Sequence, residues 1–221
     1  MIIPALLTTN ERIAAERVDL AKRMSGWLHI DVLDNSLYKY QSLAVEDLKK
    51  LDFGNLSLEY HCMTNSPQVV VESGVPYQRI IVHVETPDWE KWYADLSNQG
   101  IDTWLAISPE TALDSVALPN DLAGVVVMGV TPGQSGQALD SNVYNRIEHI
   151  KDLHPDLPIT IDGGVKEDNL RDFIALGVDN LVMGSALFET KDPLAVYERL
   201  NHISDPIYGT TMQNSNIKNQ N

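Results

Sequence analysis

The sequence has little cysteine, little positive charge and no long apolar run. Its 221 residues include one cysteine, Cys62, which excludes an intrachain disulfide and suits a reducing compartment. The formal net charge of −15 argues against nucleic-acid binding, which needs basic patches to meet phosphate. No apolar run approaches the ~20 residues that span a bilayer, and the start, MIIPALLTTNER, shows no pattern of a secretory signal. We therefore expect a cytoplasmic protein with no nucleic-acid and no membrane partner.

What the sequence does have is a regular alternation of short apolar runs with longer amphipathic stretches. Strands that alternate with helices indicate parallel βαβ units, and eight such units in 221 residues match an α/β fold, a single (β/α)8 TIM barrel. A doubly wound open sheet is the alternative, but no glycine-rich dinucleotide fingerprint follows the first strand. The predicted strands are 2–7, 27–32, 56–63, 79–84, 103–108, 124–130, 158–162 and 180–185, with helices near 10–24, 42–51, 66–74, 87–99, 110–117, 140–153, 167–176 and 191–202.

The sequence shows no internal domain boundary. We predict one barrel domain over residues 1–204. Residues 205–221 are polar and lack periodicity, so we predict a disordered C-terminal tail there.

Reactive side chains stand at the carboxyl ends of the predicted strands, where barrels of this kind place their sites. In WLHIDVLD (27–34), His29 and Asp31 share one face of a strand that reads as buried. Burying an imidazole beside a carboxylate would cost several kcal/mol unless something satisfies both. His61 and Asp162 end two further strands, so two imidazoles and two carboxylates converge on one mouth. This set suits a divalent ion such as Zn²⁺, Fe²⁺, Mn²⁺ or Co²⁺.

Glycines follow the last three predicted strands, in VTPGQSGQ (130–137), DGGV (162–165) and MGSALF (183–188). Such barrels commonly build a phosphate site there from backbone N–H groups and a short helix start. One such segment is weak evidence, but three in consecutive strands are much stronger. The sequence therefore predicts a phosphorylated ligand.

The motifs HIDVLD, YHCMTNSP, VHVET, MGVTPGQSGQ, ITIDGGV and LVMGSALF, in this order, resemble those of the ribulose-phosphate 3-epimerases. That family consists of metal-dependent (β/α)8 barrels of the ribulose-phosphate-binding type, and the resemblance, that of a divergent member, covers about residues 3–200. It implies that His29, Asp31, His61 and Asp162 bind the metal and that Asp31 and Asp162 are also the catalytic acid/base pair. The substrate-binding residues that it implies are Thr8, His61, Met63, Met128, Gly133, Gln134, Ser135, Gly136, Gly163, Gly164, Gly184 and Ser185.

The resemblance also implies an activity, epimerisation at the third carbon of a ketose phosphate with one divalent metal ion as cofactor. The simplest substrate is D-ribulose 5-phosphate, which would become D-xylulose 5-phosphate. A base removes the proton beside the ketone, the metal stabilises the enediolate, and an acid returns a proton on the opposite face. Asp31 and Asp162 stand on the second and seventh strands, across the mouth, which suits transfer at two faces. Members of the family form dimers or hexamers, so we expect a homo-oligomer.

Three alternatives stay open. The stretch NSLYKY (35–40) stands where the family has Gly-His-Phe-Val-Pro-Asn, so D-allulose 6-phosphate is a second candidate substrate. A decarboxylase or aldolase of the orotidylate and hexulose-phosphate type needs an Asp-x-Lys-x-x-Asp motif, and DVLDNS (31–36) has no lysine at that place. The third is a non-catalytic phosphosugar-binding homologue, against which the retention of all four ligands argues.

Neighbouring polar residues of these strands receive other predictions. We expect His83 to be structural, because the resemblance gives it no ligand role. For Glu59 a hydrogen bond to a metal ligand and a buried salt bridge are equally open. Asp34 is left out of the ligand set, and Leu33 occupies a position where the family has methionine.

Overall fold

The chain folds into a closed barrel of eight parallel strands paired in chain order, with β8 beside β1. The structure is a computed structural model that describes residues 1–133 and 136–204. Its strands are β1 (Ile2–Leu6), β2 (Trp27–Leu33), β3 (Ser57–Met63), β4 (Arg79–His83), β5 (Asp102–Ile107), β6 (Val125–Met128), β7 (Ile159–Asp162) and β8 (Asn180–Met183). Its helices are α1 (Glu11–Ala21), α2 (Val45–Leu48), α3 (Gln68–Ser73), α4 (Trp89–Asn98), α5 (Val143–Leu153), α6 (Leu170–Ala175), α7 (Ser185–Phe188) and α8 (Pro193–Ser204). The predicted (β/α)8 barrel is confirmed.

Side chains along each strand alternate between the surrounding helices and the barrel interior. On β2, Leu28, Ile30 and Val32 belong to the large apolar core formed with the helices, which leaves His29 and Asp31 facing inward. The interior is apolar on two sides only. One small cluster comprises Ile81, Trp104, Ala106, Val126 and Met128, and the other Ile3, Ala5 and Val182. The inward positions of β2 and β3 carry buried ionisable side chains instead.

Strand register sets the height of these side chains. Asp31 pairs with His61 across β2 and β3, and Met128 pairs with Asp162 across β6 and β7. The pairs come from opposite sides of the barrel and stand at the carboxyl ends of their strands. The register therefore brings charged groups from separate strands to one level, at the mouth.

Helices begin as expected where the sequence carries a capping residue. At the start of α1, the Asn10 side chain accepts hydrogen bonds from the backbone N–H groups of Arg12 and Ile13. At the start of α8, the Asp192 carboxylate accepts one from the N–H of Ala195, 3.1 Å away. The caps satisfy N–H groups that have no partner within the helix.

Two predicted helices are wrong in extent. The segment 110–117 forms only a 3-10 turn, Leu113–Ser115, because the Ser115 hydroxyl donates to the Ala112 carbonyl and competes with helical bonding. The helix expected over 42–51 shrinks to Val45–Leu48, and no side chain caps its start.

Part of the prediction falls on residues that are not described. Gln134, Ser135 and the proposed tail at 205–221 lie outside the described residues. Within residues 1–133 and 136–204, no helix combines the length and the apolar character needed to cross a membrane.

Candidate metal centre

All four predicted metal ligands meet at the carboxyl ends of β2, β3 and β7. His29, Asp31, His61 and Asp162 each offer one ligand atom, and these atoms lie within 4.8 Å of one another. Both imidazoles are fully buried, and Asp31 is only 8% exposed. The four side chains that the strand-end prediction selected thus lie together in space.

The separations between the ligand atoms fit a single metal ion. His29 Nε2 lies 3.1 Å from His61 Nδ1 and 3.5 and 3.6 Å from carboxylate oxygens of Asp31 and Asp162. His61 Nδ1 lies 3.2 and 3.1 Å from the same two oxygens. Four ligands at the bond lengths of a tetrahedral zinc site would be about 3.3 Å apart. The two-nitrogen, two-oxygen set therefore has the spacing and the chemistry of a divalent transition-metal site.

Charge is concentrated at this cluster, and the pKa values of its members shift together. Burial alone would lower the pKa of His29, but hydrogen bonds to Asp31 and Glu59 raise it well above its ordinary value. Burial opposes protonation of His61 as well, and Asp162 and Asp31 nevertheless raise its pKa. Burial would raise the pKa of Asp31, and the two imidazoles lower it far below its ordinary value. A metal ion would replace the protons that the imidazoles otherwise gather here.

A buried carboxylate fixes the orientation of His29. His29 Nδ1 lies 2.7 Å from Glu59 Oε1, and Glu59 Oε2 accepts a hydrogen bond from Arg79, also 2.7 Å away. The Arg79 guanidinium is held over the rings of Trp27 and Trp104, 4.8 and 3.9 Å from their centroids. Glu59 makes both contacts between which the sequence could not choose. Because the Glu59 carboxylate accepts a hydrogen bond from the Nδ1–H group of His29, the Nε2 atom faces the cluster and can offer its lone pair to a metal ion.

His83 is closer to the cluster than the sequence suggested. Its Nε2 lies 2.8 Å from Nε2 of His61, and its Nδ1 lies 2.8 Å from Glu85. Burial lowers the pKa of His83, although its hydrogen bond to the Glu85 carboxylate acts in the opposite direction. Nothing in the linear sequence marks the contact between His83 and His61, which depends on the pairing of β3 with β4.

The metal cluster forms part of the floor of a cavity of about 430 Å³. Both candidate acid/base residues, Asp31 and Asp162, line the cavity, whereas His29 and His61 lie behind them. The predicted substrate-binding residues that also line it are Met63, Met128, Gly133, Gly136, Gly163, Gly164, Gly184 and Ser185.

Among the described residues, two of the predicted substrate-binding residues, Thr8 and His61, do not line this cavity. Thr8 turns its hydroxyl toward α1, where it accepts a hydrogen bond from the N–H of Asn10, 3.1 Å away. The neighbouring Leu7 lines the cavity in its place. Leu33 is buried at the end of β2. A substrate contact by Thr8 stays a prediction.

The glycines of the wall meet conformational demands that other residues would not. Gly163 and Gly164 both have positive φ, 90° and 72°, directly after β7. A β-carbon at Gly164 would stand 2.7 Å from Leu139, and one at Gly163 would collide with Val130. Glycine at these two positions therefore lets the turn pack against Val130 and Leu139 while its backbone lines the cavity.

Two basic residues that the sequence analysis missed line the same cavity, Arg17 and Lys166. The Arg17 guanidinium donates to the carbonyl of Leu7 at 3.0 Å and lies 5.2 Å from the ring centroid of Phe188. It is 4.0 Å from Glu189. In the sequence, Arg17 directly precedes Val18, one of the buried residues of α1, which is the local pattern that indicates the side of the helix on which Arg17 lies.

The loop after β2, where the chain departs from the family pattern, also reaches the mouth. The Tyr38 hydroxyl lies 2.8 Å from the Ser108 hydroxyl and 3.3 Å from Nδ1 of His83. Tyr40 packs so closely on Gly133 that a β-carbon there would collide with its ring. The loop thus covers the β4–β5 side of the mouth and contacts the loop after β6.

Fold and site together define a (β/α)8-barrel protein with a metal-type cluster at the floor of its cavity. Residues 1–188 match the model of the "Ribulose-phosphate 3 epimerase family". The chain is 26% identical over 215 residues to a ribulose-phosphate 3-epimerase of Helicobacter pylori strain J99, covering 93% of this chain and 99% of that protein. It is 28% identical over 204 residues to the Aquifex aeolicus ribulose-phosphate 3-epimerase, covering 87% and 91%.

Solved structures share the fold at lower identity. The 3-hexulose-6-phosphate synthase of Salmonella typhimurium superposes with a TM-score of 0.63 at 14% identity, covering 92% of this chain and 97% of that one. Orotidine 5'-phosphate decarboxylase of Pyrococcus horikoshii OT3 gives 0.60 at 15% identity, covering 92% and 99%. These likenesses concern the fold alone. The chain belongs to the ribulose-phosphate 3 epimerase family, and it is an isomerase of the ribulose-phosphate 3-epimerase type.

Proposed function

We propose that the chain catalyses metal-dependent epimerisation at the third carbon of a ketose phosphate, with D-ribulose 5-phosphate and D-xylulose 5-phosphate as its substrate pair. One observation carries the proposal. Asp31 on β2 and Asp162 on β7 come from opposite sides of the barrel, yet an oxygen of each lies within 3.2 Å of His61 Nδ1. Two carboxylates at one centre, both lining a cavity, suit proton transfer at two faces of a carbon atom.

The two carboxylates would move the proton. Asp31 would remove the proton from the third carbon on one face. Asp162 returns a proton on the other face, and the roles reverse in the opposite direction. His29, Asp31, His61 and Asp162 would hold the divalent cation, whose Lewis acidity stabilises negative charge on the substrate oxygens. Metal coordination also relieves repulsion between the two carboxylates.

The rest of the cavity would bind the phosphate and the sugar. Backbone N–H groups around Gly163, Gly164 and Gly184 would hold the phosphate, and Arg17 and Lys166 add positive charge to the same wall. Met63 and Met128, both nearly fully buried beside the carboxylates, would pack against the reacting carbon and exclude water.

The alternative substrate, D-allulose 6-phosphate, is favoured by one feature. The loop after β2 departs here from the family's sequence, and its Tyr38 and Tyr40 contact Ser108 and Gly133 at the mouth, where a different sugar would be selected. We keep the pentose phosphate as the proposal because the relatives at 26% and 28% identity carry that substrate in their names.

The test is turnover of D-ribulose 5-phosphate by metal-reconstituted protein, with Asp162→Asn as the matched variant. Wild type should form D-xylulose 5-phosphate, and the variant should not. If the metal-bound wild type does not convert D-ribulose 5-phosphate but does convert D-allulose 6-phosphate, the substrate is the hexose phosphate. A wild type inactive on both sugars would support the non-catalytic binder.

Cytoplasmic location and a homo-oligomeric state also belong to the proposal. The single cysteine is buried, and a rice relative, 23% identical over 209 residues, is named a cytoplasmic isoform. Sedimentation of the purified protein measures its assembly directly.

A further inference from the structure

A line of buried polar groups leads from the metal cluster into the β4 side of the barrel. His61 Nε2 and His83 Nε2 are 2.8 Å apart, and the two ring planes differ by only 13°. His83 Nδ1 is 2.8 Å from Glu85 Oε2. Both imidazoles are fully buried, so each ring nitrogen that is not a metal ligand needs a protein partner.

Glu85 itself is fixed as an acceptor. Its Oε1 accepts hydrogen bonds from the backbone N–H of Ser108, at 3.0 Å, and from the Thr111 hydroxyl. The Oε2 atom is then the one that faces His83, and an ionised carboxylate only accepts. Burial would raise the pKa of Glu85, but its hydrogen bonds with His83, the Thr111 hydroxyl and the N–H of Ser108 lower it to about 2.

The donor and acceptor roles follow in sequence from that carboxylate. His83 must carry its proton on Nδ1, which leaves a lone pair on Nε2. That lone pair can accept only from an N–H at His61 Nε2. His61 is thereby held as the Nε2–H tautomer, with the lone pair of Nδ1 directed at Asp31 and Asp162.

We propose that His83 and Glu85 are positioning residues that fix the tautomer of His61, so that its Nδ1 atom is the metal-binding nitrogen. The inference rests on the metal centre proposed above and assigns residues outside it. Both histidine ligands then end at a carboxylate, His29 directly at the buried Glu59 and His61, through the ring of His83, at the partly exposed Glu85. Tyr38, whose hydroxyl lies 3.3 Å from His83 Nδ1, ties the loop after β2 to the same line.

The Glu85→Gln variant tests the assignment without changing volume. The N–H of Ser108 and the Thr111 hydroxyl hold the amide oxygen in the place of Oε1, so the NH₂ group must face His83. His83 then has to accept at Nδ1 and carries its proton on Nε2, where it meets the N–H of His61. His61 can relieve this conflict only by moving its proton to Nδ1, which blocks the metal.

We expect Zn²⁺ affinity, measured by competition with a chromophoric chelator, to fall about 10- to 100-fold in Glu85→Gln. Val82→Ala is the matched control, since Val82 directly precedes His83 on β4 and faces the helices. It should lower thermal stability and leave Zn²⁺ affinity within twofold of wild type. A Glu85→Gln protein that binds Zn²⁺ as tightly as wild type overturns the inference and leaves the metal centre standing.

Nitrogen-15 NMR of the zinc-loaded wild type tests the tautomers without any variant. The proposal requires a protonated Nδ1 and a bare Nε2 on His83, and zinc at Nδ1 of His61. A proton on Nε2 of His83 overturns it. A wild type that binds no Zn²⁺ overturns both this inference and the metal-dependent reaction on which it rests.

Discussion

The two halves of the barrel mouth differ in the groups that they present to a ligand. The β2–β4 half consists of buried ionisable side chains tied to one another, with His29 on Glu59 and His61 on His83. The β6–β8 half presents cavity wall rich in glycine, such as Gly163 and Gly164, whose backbone lies open to a ligand. We call the β2–β4 half the metal half, because it supplies three of the four predicted ligands and Asp162 alone comes from β7. The β6–β8 half is the cavity half. The metal half depends on side-chain chemistry and protonation, and the cavity half depends on backbone conformation.

The largest expected effect lies in the metal half, at a carboxylate. Asp31→Asn keeps the size of the side chain but removes its ability to take a proton, so we expect kcat to fall about 10²- to 10⁴-fold. Asp34→Asn is the matched control because Asp34 bonds Ser36 and Thr64 and not the cluster. Steady-state turnover of D-ribulose 5-phosphate measures both variants, and an equal loss in the two would contradict the division of roles.

A second effect separates metal binding from chemistry. Glu59→Gln weakens the hydrogen bond that orients His29 and removes the charge that faces Arg79. We expect metal affinity to drop about 10- to 100-fold and the free energy of unfolding to fall by about 1–3 kcal/mol. Isothermal titration with Zn²⁺ and thermal unfolding provide the two readouts. An unchanged affinity would show that His29 needs no partner.

In the cavity half, a backbone change should affect substrate affinity and not the metal. Gly164→Ala forces a left-handed residue, at φ 72°, toward Leu139, at a cost of roughly 1–2 kcal/mol. We expect KM for the phosphorylated substrate to rise about tenfold, the equivalent of 1.4 kcal/mol in binding, with metal content unchanged.

Gly26→Ala is the control for that experiment, because a β-carbon there meets no atom within 4 Å and the backbone is not left-handed. It should leave KM as it is. If Gly164→Ala instead lost metal, the two halves would not be separable.

The smallest effect is a pH dependence of the metal-free protein. The raised pKa values of His29 and His61 give stability that is complete below pH 6.5 and is lost as pH rises through those values. The lowered pKa of His83 has the opposite effect, a stability that is lost as pH falls, but it is one group against the two with raised pKa values. Metal affinity should change the other way and increase with pH, because the ligands must lose protons. Thermal unfolding measured above and below pH 6.5, with and without Zn²⁺, checks this. If the stability of both forms changed with pH in the same way, the assignment of His29 and His61 as metal ligands would be wrong.

Much of the fold could be predicted from the sequence, because eight short apolar runs alternate with longer amphipathic stretches, as the strands and helices of a (β/α)8 barrel do. The same rule placed His29, Asp31, His61 and Asp162 at one mouth, since parallel strands end together. The helix near 110–117 failed because local hydrogen bonding by Ser115 outweighed a weak periodic pattern.

What the sequence could not supply are contacts between strands and loops far apart in the chain. The bond from His83 to His61 depends on the register of β3 and β4, and Tyr38 meets Ser108 across 70 positions. Arg17 reaches the cavity from α1 only because the helix packs at one particular rotation. None of these has a spacing that marks it in the linear sequence.

The measurement that tests the central claim most directly is the metal content of the purified protein after equilibration with Zn²⁺ and removal of the excess, determined by native mass spectrometry. We predict one zinc ion per chain in wild type and its loss in His61→Ala. A wild type that retains no zinc, or a His61→Ala protein that retains it fully, would contradict the assignment of the four side chains to one metal centre.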